Sequence, residues 1–176
     1  MSNAAIRGRR NKATGEYFEK IIERACKYYS DIGVAEIQKT PEPMRVIQRL
    51  GNGRFMAVFT KSAQPDYKGT LRGGQAIVFE AKHTDGEKMM QSVITAEQEK
   101  RLNKHFELGA SCYVLVSFEL KEYFFVPWEV FRGMKGIFGR KYIKPDDIRE
   151  YEVKYSKYLN FLERFSSSEQ EKKYFC

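Results

Sequence analysis

Cysteine is scarce in this chain and scattered: Cys26, Cys112 and Cys176 are odd in number and form no C-x-x-C pair or Cys/His cluster. That argues against structural zinc and a disulfide framework, and the three read as free thiols. No apolar run approaches the length of a membrane span, and no signal-peptide hydrophobic region follows the start. A membrane protein is therefore not expected, and a cytoplasmic one is. Internal repeats and low-complexity linkers are absent, so nothing marks a second domain. No Ser/His/Asp or Cys/His arrangement stands out, and Arg72-Gly73-Gly74 is followed neither by a helix pattern nor by P-loop lysine spacing. No organic cofactor is implied.

What remains is a chain of 176 residues, 42% hydrophobic and 31% charged, long enough to bury one core. Lys and Arg number 31 against 23 Asp and Glu, a net charge of +8. Such a balance favours polyanionic partners such as nucleic acid, although a merely soluble basic protein has the same balance. The distribution tilts toward nucleic acid. Arg7, Arg9, Arg10 and Lys12 stand near the start with no acidic residue and beside Gly8, so residues 1–14 read as a flexible basic arm for DNA phosphates or a solvated terminus.

Phe18, Ile21, Ile22, Ala25 and Tyr29 recur at three- and four-residue intervals and predict an amphipathic helix over residues 15–29, with Thr14 as N-cap. Glu19 lies at the border of its apolar stripe, where a carboxylate can reach the edge of a cleft or simply be solvated. A strand over residues 34–39 precedes Pro41 and Pro43. Residues 44–50 and 54–60 then flank Gly51-Asn52-Gly53, a hairpin signal. Strict alternation puts Arg45, Ile47 and Arg49 on one face, while Arg54 and Lys61 bracket the return strand. A basic ribbon of this kind enters a groove or branched nucleic acid, or is an edge hairpin protected from aggregation by charge.

Further on, Thr95 and Gln98 predict a capping box opening a helix that runs to about residue 108, with His105 as a dipole-compatible surface residue in its last turn. Residues 112–118 and 123–126 predict a core hairpin, and Pro127 a helix start. Residues 133–144 read as a flexible basic loop in which Arg140, Lys141 and Lys144 bind phosphates or form an ordinary surface. A short helix from Pro145, a final helix over 156–165 and a loose tail over 166–176 complete the chain. The order of elements implies an α/β fold, a single domain over residues 15–165 with a mixed sheet flanked by helices.

The chemistry concentrates in Pro65-Asp66 and Phe79-Glu80-Ala81-Lys82, with 14 residues from Asp66 to Glu80. In a strand Glu80 and Lys82 share a face, and Asp66 arrives from a preceding turn. Two carboxylates and an ammonium converging at a strand end suit divalent-metal phosphodiester cleavage. The competing reading is a turn aspartate and a solvated strand end. The amide oxygen of Gln98 would reach the same place if its helix begins beside the sheet's open end. His83, on the other strand face, carries no catalytic role.

These motifs, together with GEYFEKIIERACKYY at 15–29, IQKTPEP at 37–43, DYKG at 66–69, CYVLVSF at 112–118 and GRKYIKPDDI at 139–148, resemble the PD-(D/E)XK nuclease superfamily. The likeness is closest to the RecU-type Holliday junction resolvases of Gram-positive bacteria and their phages. The resemblance implies a restriction-endonuclease-like core with a projecting hairpin stalk over about residues 44–61 that inserts into the junction centre. It implies that Asp66, Glu80 and Gln98 bind Mg2+ or Mn2+ and that Lys82 stabilises the transition state. Where the family has a threonine as a further metal contact, two residues before the aspartate, this chain has Gln64. Glu19 matches a family helix glutamate. The expected protein is a cytoplasmic, nucleoid-associated, bacterial or phage-encoded homodimer that resolves four-way DNA junctions by paired nicks. The alternatives are another PD-(D/E)XK DNA endonuclease, for restriction or phage DNA processing, and a non-catalytic DNA-binding recombination factor.

Overall fold

The computed structural model describes residues 3–59 and 64–165, with side chains from residue 13 onward except at Arg164. The chain opens with helix α1, Asn3–Asp31, then runs through β1 (Ala35–Lys39), the hairpin β2 (Met44–Gly51) and β3 (Arg54–Phe59), β4 (Tyr67–Leu71) and β5 (Ala76–Thr84). The short β6 (Met89–Met90) leads to α2 (Ala96–Glu107), β7 (Ser111–Phe118) and β8 (Glu122–Pro127). Helices α3 (Trp128–Arg132) and α4 (Met134–Phe138), strand β9 (Tyr142–Ile143) and a 3-10 helix at Pro145–Tyr151 follow.

The main sheet has the order β1-β4-β5-β7-β8, antiparallel throughout except for the parallel β5/β7 pair. The expected mixed α/β architecture is observed. Strands β7 and β8 read as continuous apolar runs because both sheet faces are covered. On one face Phe79, Leu115 and Phe125 meet Phe18, Ile22 and Tyr29 of α1 and Leu159 and Phe161 of the C-terminal segment. On the other, Val78, Val114, Val116 and Phe124 meet Leu102 of α2 and Trp128 and Phe131 of α3. No helix among the described residues is long and apolar enough to cross a membrane.

Four expectations change. Helix α1 begins at Asn3, so residues 3–14 are helical rather than an arm and Thr14 is interior, not an N-cap. The segment holds Ala and Arg, strong helix formers, and its single Gly8 costs too little to break the helix. Strand β4 was not anticipated, although Tyr67 and Thr70 are strand formers. Residues 133–144 are not a loop: α4 buries Met134, and β9 buries Ile143 while pairing with β6. No α-helix spans residues 156–165, which carry only a 3-10 turn at Glu163–Phe165. Leu159, Asn160, Phe161 and Leu162 are all buried in succession, a pattern no one-sided surface helix allows.

Candidate active site

The separation of Asp66 and Glu80 is a hairpin register. Tyr67 pairs with Phe79 and Lys68 with Val78, so continuing the ladder by one residue puts Asp66 opposite Glu80 on the same face. The turn between the strands needs Gly73 and Gly74, whose φ values of +93° and +90° disfavour side chains. Asp66 is then locked to the neighbouring strand, its Oδ2 accepting the Ala81 N–H at 3.0 Å.

Glu80 is fully buried on the face covered by α2. Its Oε2 accepts from Lys82 Nζ at 3.2 Å and from Gln98 Nε2 at 2.5 Å. Lys82 Nζ also lies 3.9 Å from Asp66 Oδ2. The other Glu80 oxygen, Oε1, is buried without a hydrogen-bond partner. Burial first, then the Asp66 charge, pushes the Glu80 carboxyl up to about 8, against the opposing pull of Lys82. A buried anionic oxygen without a donor is stabilised by a proton or a cation, so Asp66 and Glu80 fit a divalent metal. Among the described residues no cluster of three or more His, Cys, Asp and Glu stands ready to hold an ion. Two carboxylates completed by water and phosphate are a regular environment for magnesium.

The capping box at Thr95 is present as expected: Thr95 Oγ1 accepts from Gln98 N at 3.2 Å, and Gln98 Oε1 accepts from Thr95 N at 3.1 Å. The cap therefore occupies the Gln98 oxygen and turns its amide nitrogen toward Glu80. Gln64, expected at the metal, accepts from Lys68 Nζ at 2.7 Å through its Oε1. Glu19 accepts from Lys39 Nζ at 2.7 Å and lines, with Asp66, Lys39 and Thr40, a cleft of about 760 Å³. Lys39 was not anticipated in the site.

The remaining basic candidates separate. Exposed Arg45 and Arg49 lie on opposite faces of the hairpin, because a bulge between Val46 and Gln48 breaks the expected alternation: Arg45 pairs with Val58, but Arg49 pairs with Phe55. Arg54 is exposed at the start of β3. Arg140 is committed to the fold, donating to Asp147 Oδ2 at 2.5 Å and lying over the Tyr142 ring. Lys141 and Lys144 are exposed. Lys61 and the side chains of Arg7, Arg9, Arg10 and Lys12 lie outside the described residues.

The structure also brings together a Ser/His/Asp chain that the sequence did not reveal. His83 Nδ1 is 3.2 Å from Ser117 Oγ and Nε2 is 3.0 Å from Asp85 Oδ1. Ser117 is fully buried, so this chain clamps β5 to β7 and offers no accessible nucleophile.

Residues 13–167 match the family model for RecU, "Recombination protein U". The chain belongs to the RecU family. A "Holliday junction resolvase RecU" of Streptococcus gordonii is 32% identical over 120 residues, 64% of this chain and 60% of that one. A RecU of the same description from Streptococcus pneumoniae (strain Taiwan19F-14) is 28% identical over 145 residues, 78% of this chain and 73% of the other. The chain thus spans about three fifths of the length of the first of these curated RecU relatives. The solved Holliday junction resolvase Hjc of Archaeoglobus fulgidus aligns with a TM-score of 0.45 and 14% identity, over 77% of this chain and 93% of that one. That likeness is too loose to carry an argument.

Proposed function

We propose that this RecU-family chain is a divalent-metal-dependent endodeoxyribonuclease that resolves four-way DNA junctions by paired nicks in recombination and repair, acting in the cytoplasm on nucleoid or phage DNA. The observation that carries the reading is the convergence of Asp66, Glu80 and Lys82, with a buried Glu80 oxygen left without a partner. Asp66 and Glu80 would hold Mg2+ or Mn2+, which when bound neutralises phosphate charge and acidifies water. Asp66 stays in place through the Ala81 N–H, and Gln98 orients Glu80 by donating to Oε2. Gln64 and Glu19 flank the site through Lys68 and Lys39.

Lys82 is the group of this chain aimed at the reacting phosphate. Its ammonium is fixed between two carboxylates, and in hydrolysis it adds positive charge where the phosphoryl oxygens gain negative charge. Water oxygen bonds to phosphorus as the bond to one bridging sugar oxygen breaks; the attacking water gives up a proton to solvent, and the departing sugar oxygen takes a proton from solvent to leave as a hydroxyl. The hairpin β2–β3 forms its own two-stranded sheet, exposed along nearly its whole length, which supports insertion into the open centre of a junction. Because a four-way junction is approximately two-fold, paired nicks call for a symmetric homodimer.

The test is a nicking assay on an immobile four-way junction with magnesium, manganese or chelator. Asp66→Asn and Glu80→Gln should each abolish metal-dependent nicking while junction binding stays near wild type. Retained cleavage in both variants would overturn the site. A wild-type chain that binds but never cleaves would instead be a recombination accessory protein.

A further inference from the structure

Helix α2 packs on the sheet through Leu102, which is fully buried. At about 100° per residue, Gln98, His105 and Arg101 fall on one side of Leu102 and Asn103 on the other. The Asn103 side is satisfied: its Oδ1 accepts from Trp128 Nε1 at 2.8 Å and from Arg132 at 3.1 Å. The opposite side looks across β5 toward β4. There Lys68 stands across from Val78, which packs in one cluster with Leu102, so Lys68 emerges on the face that α2 covers.

Lys68 and Arg101 thus lie close enough to His105 to act on its charge, on the side of α2 turned toward β4. Burial first, and then the fields of Lys68 and Arg101, hold His105 below the ordinary imidazole range. Among the described residues no carboxylate lies within ion-pair distance of Lys68 or Arg101, and the only side-chain partner given to Lys68 is neutral Gln64. Like charges gathered without a counter-charge cost free energy in the free protein and are offset when an anion enters. Arg101 and His105 lie about 4.5 and 10.5 Å along the helix axis from Gln98, a reach of about one to three nucleotides along one strand.

We infer that Lys68, Arg101 and His105 form a phosphate subsite that grips the DNA strand immediately beside the scissile phosphodiester, between β4 and α2. The inference rests on the nuclease reading for its register and adds a strand path that the hairpin and the Asp66–Glu80–Lys82 centre do not supply.

The test compares Lys68→Ala/Arg101→Ala with Lys100→Ala/Lys104→Ala, which removes equal charge from the exposed side of α2. Junction affinity is measured in chelator across a salt series, with far-UV circular dichroism and melting to verify the fold. The first pair should lower the slope of log affinity against log salt by about 2, at about 0.9 per phosphate contact. The second should leave the slope unchanged. A methylphosphonate within about three nucleotides of the nick should weaken the wild type and leave the first pair unaffected. A wild-type slope in the first pair, or an equal fall in both, overturns the subsite. If wild type cleaves and the first pair binds like wild type, only the subsite fails. If wild type does not cleave but the slopes diverge as expected, the nuclease reading fails and the phosphate contact stands. A wild type without salt-dependent DNA binding sinks both.

Discussion

Glu80 carries the largest electrostatic strain of the site. Lys82 and Gln98 saturate one oxygen, the second faces no donor, and the Asp66 charge stands nearby. The protonated form is therefore favoured in the folded, metal-free chain, with the carboxyl up at about 8 against 4.5 as the ordinary value. Because folded Glu80 binds a proton that unfolded Glu80 has already lost, its contribution to stability is fully present below about 4.5 and disappears as pH rises through about 8. Glu80→Gln keeps an oxygen acceptor and removes the titration. In chelator, the wild type should lose melting temperature relative to Glu80→Gln between those two pH values; parallel melting curves across the range would refute it. A divalent cation competes with that proton, so metal binding should release it.

At the scale of elements, the site is a product of the β4–β5 hairpin and of the first turn of α2. Close approach of β4 to β1 depends on Gly69, which pairs with Ile37: a Cβ there would meet Ile37 Cα at 2.7 Å and crowd the Glu36 carbonyl oxygen. Gly69→Ala must push the strands apart, and overpacking of this kind costs about 1–3 kcal/mol. Lys68 immediately precedes that position on β4, and Asp66 lies just before the strand. Urea unfolding of Gly69→Ala should show a lowered midpoint together with weakened nicking, whereas an unchanged midpoint would mean that β1 yields freely. The cap of α2 couples the elements differently, since one Gln98 side chain closes the helix and orients Glu80.

For the whole molecule, the apolar surface is divided unevenly. Both faces of the inner strands β7 and β8 are covered, yet Met44, Ile47, Phe55 and Phe59 on the hairpin are each more than half exposed. Exposed apolar side chains beside arginines suit the unstacked centre of a branched nucleic acid better than a continuous duplex. Arg49→Ala with Arg54→Ala should thus weaken binding to a four-way junction more than to duplex DNA at one salt concentration. Equal losses on both would make these arginines general phosphate contacts. On the proposed function, the net charge of +8 would act on all DNA alike and speed encounter without selecting shape.

Local periodicity and spacing were enough for the helix packed by Phe18 and Ile22, the hairpin around Gly51-Asn52-Gly53, the core strands and the Thr95 cap, because propensity and patterning act over a few neighbouring residues. They were also enough to single out Asp66, Glu80 and Lys82. Contacts and irregularities that no local pattern encodes were not legible there. The bulge that divides Arg45 from Arg49, the salt bridge that takes up Arg140, and the irregular segment that buries Leu159 to Leu162 depend on which surfaces meet after folding. The sequence by itself determined which carboxylates and lysine could make a metal-dependent centre. Only the tertiary structure decided that Glu80 is sealed from water with one oxygen unpaired, that Gln98 presents its nitrogen, and that Lys68 comes within electrostatic reach of His105. Desolvation and the meeting of groups far apart in the chain exist only once the helix lies on the sheet.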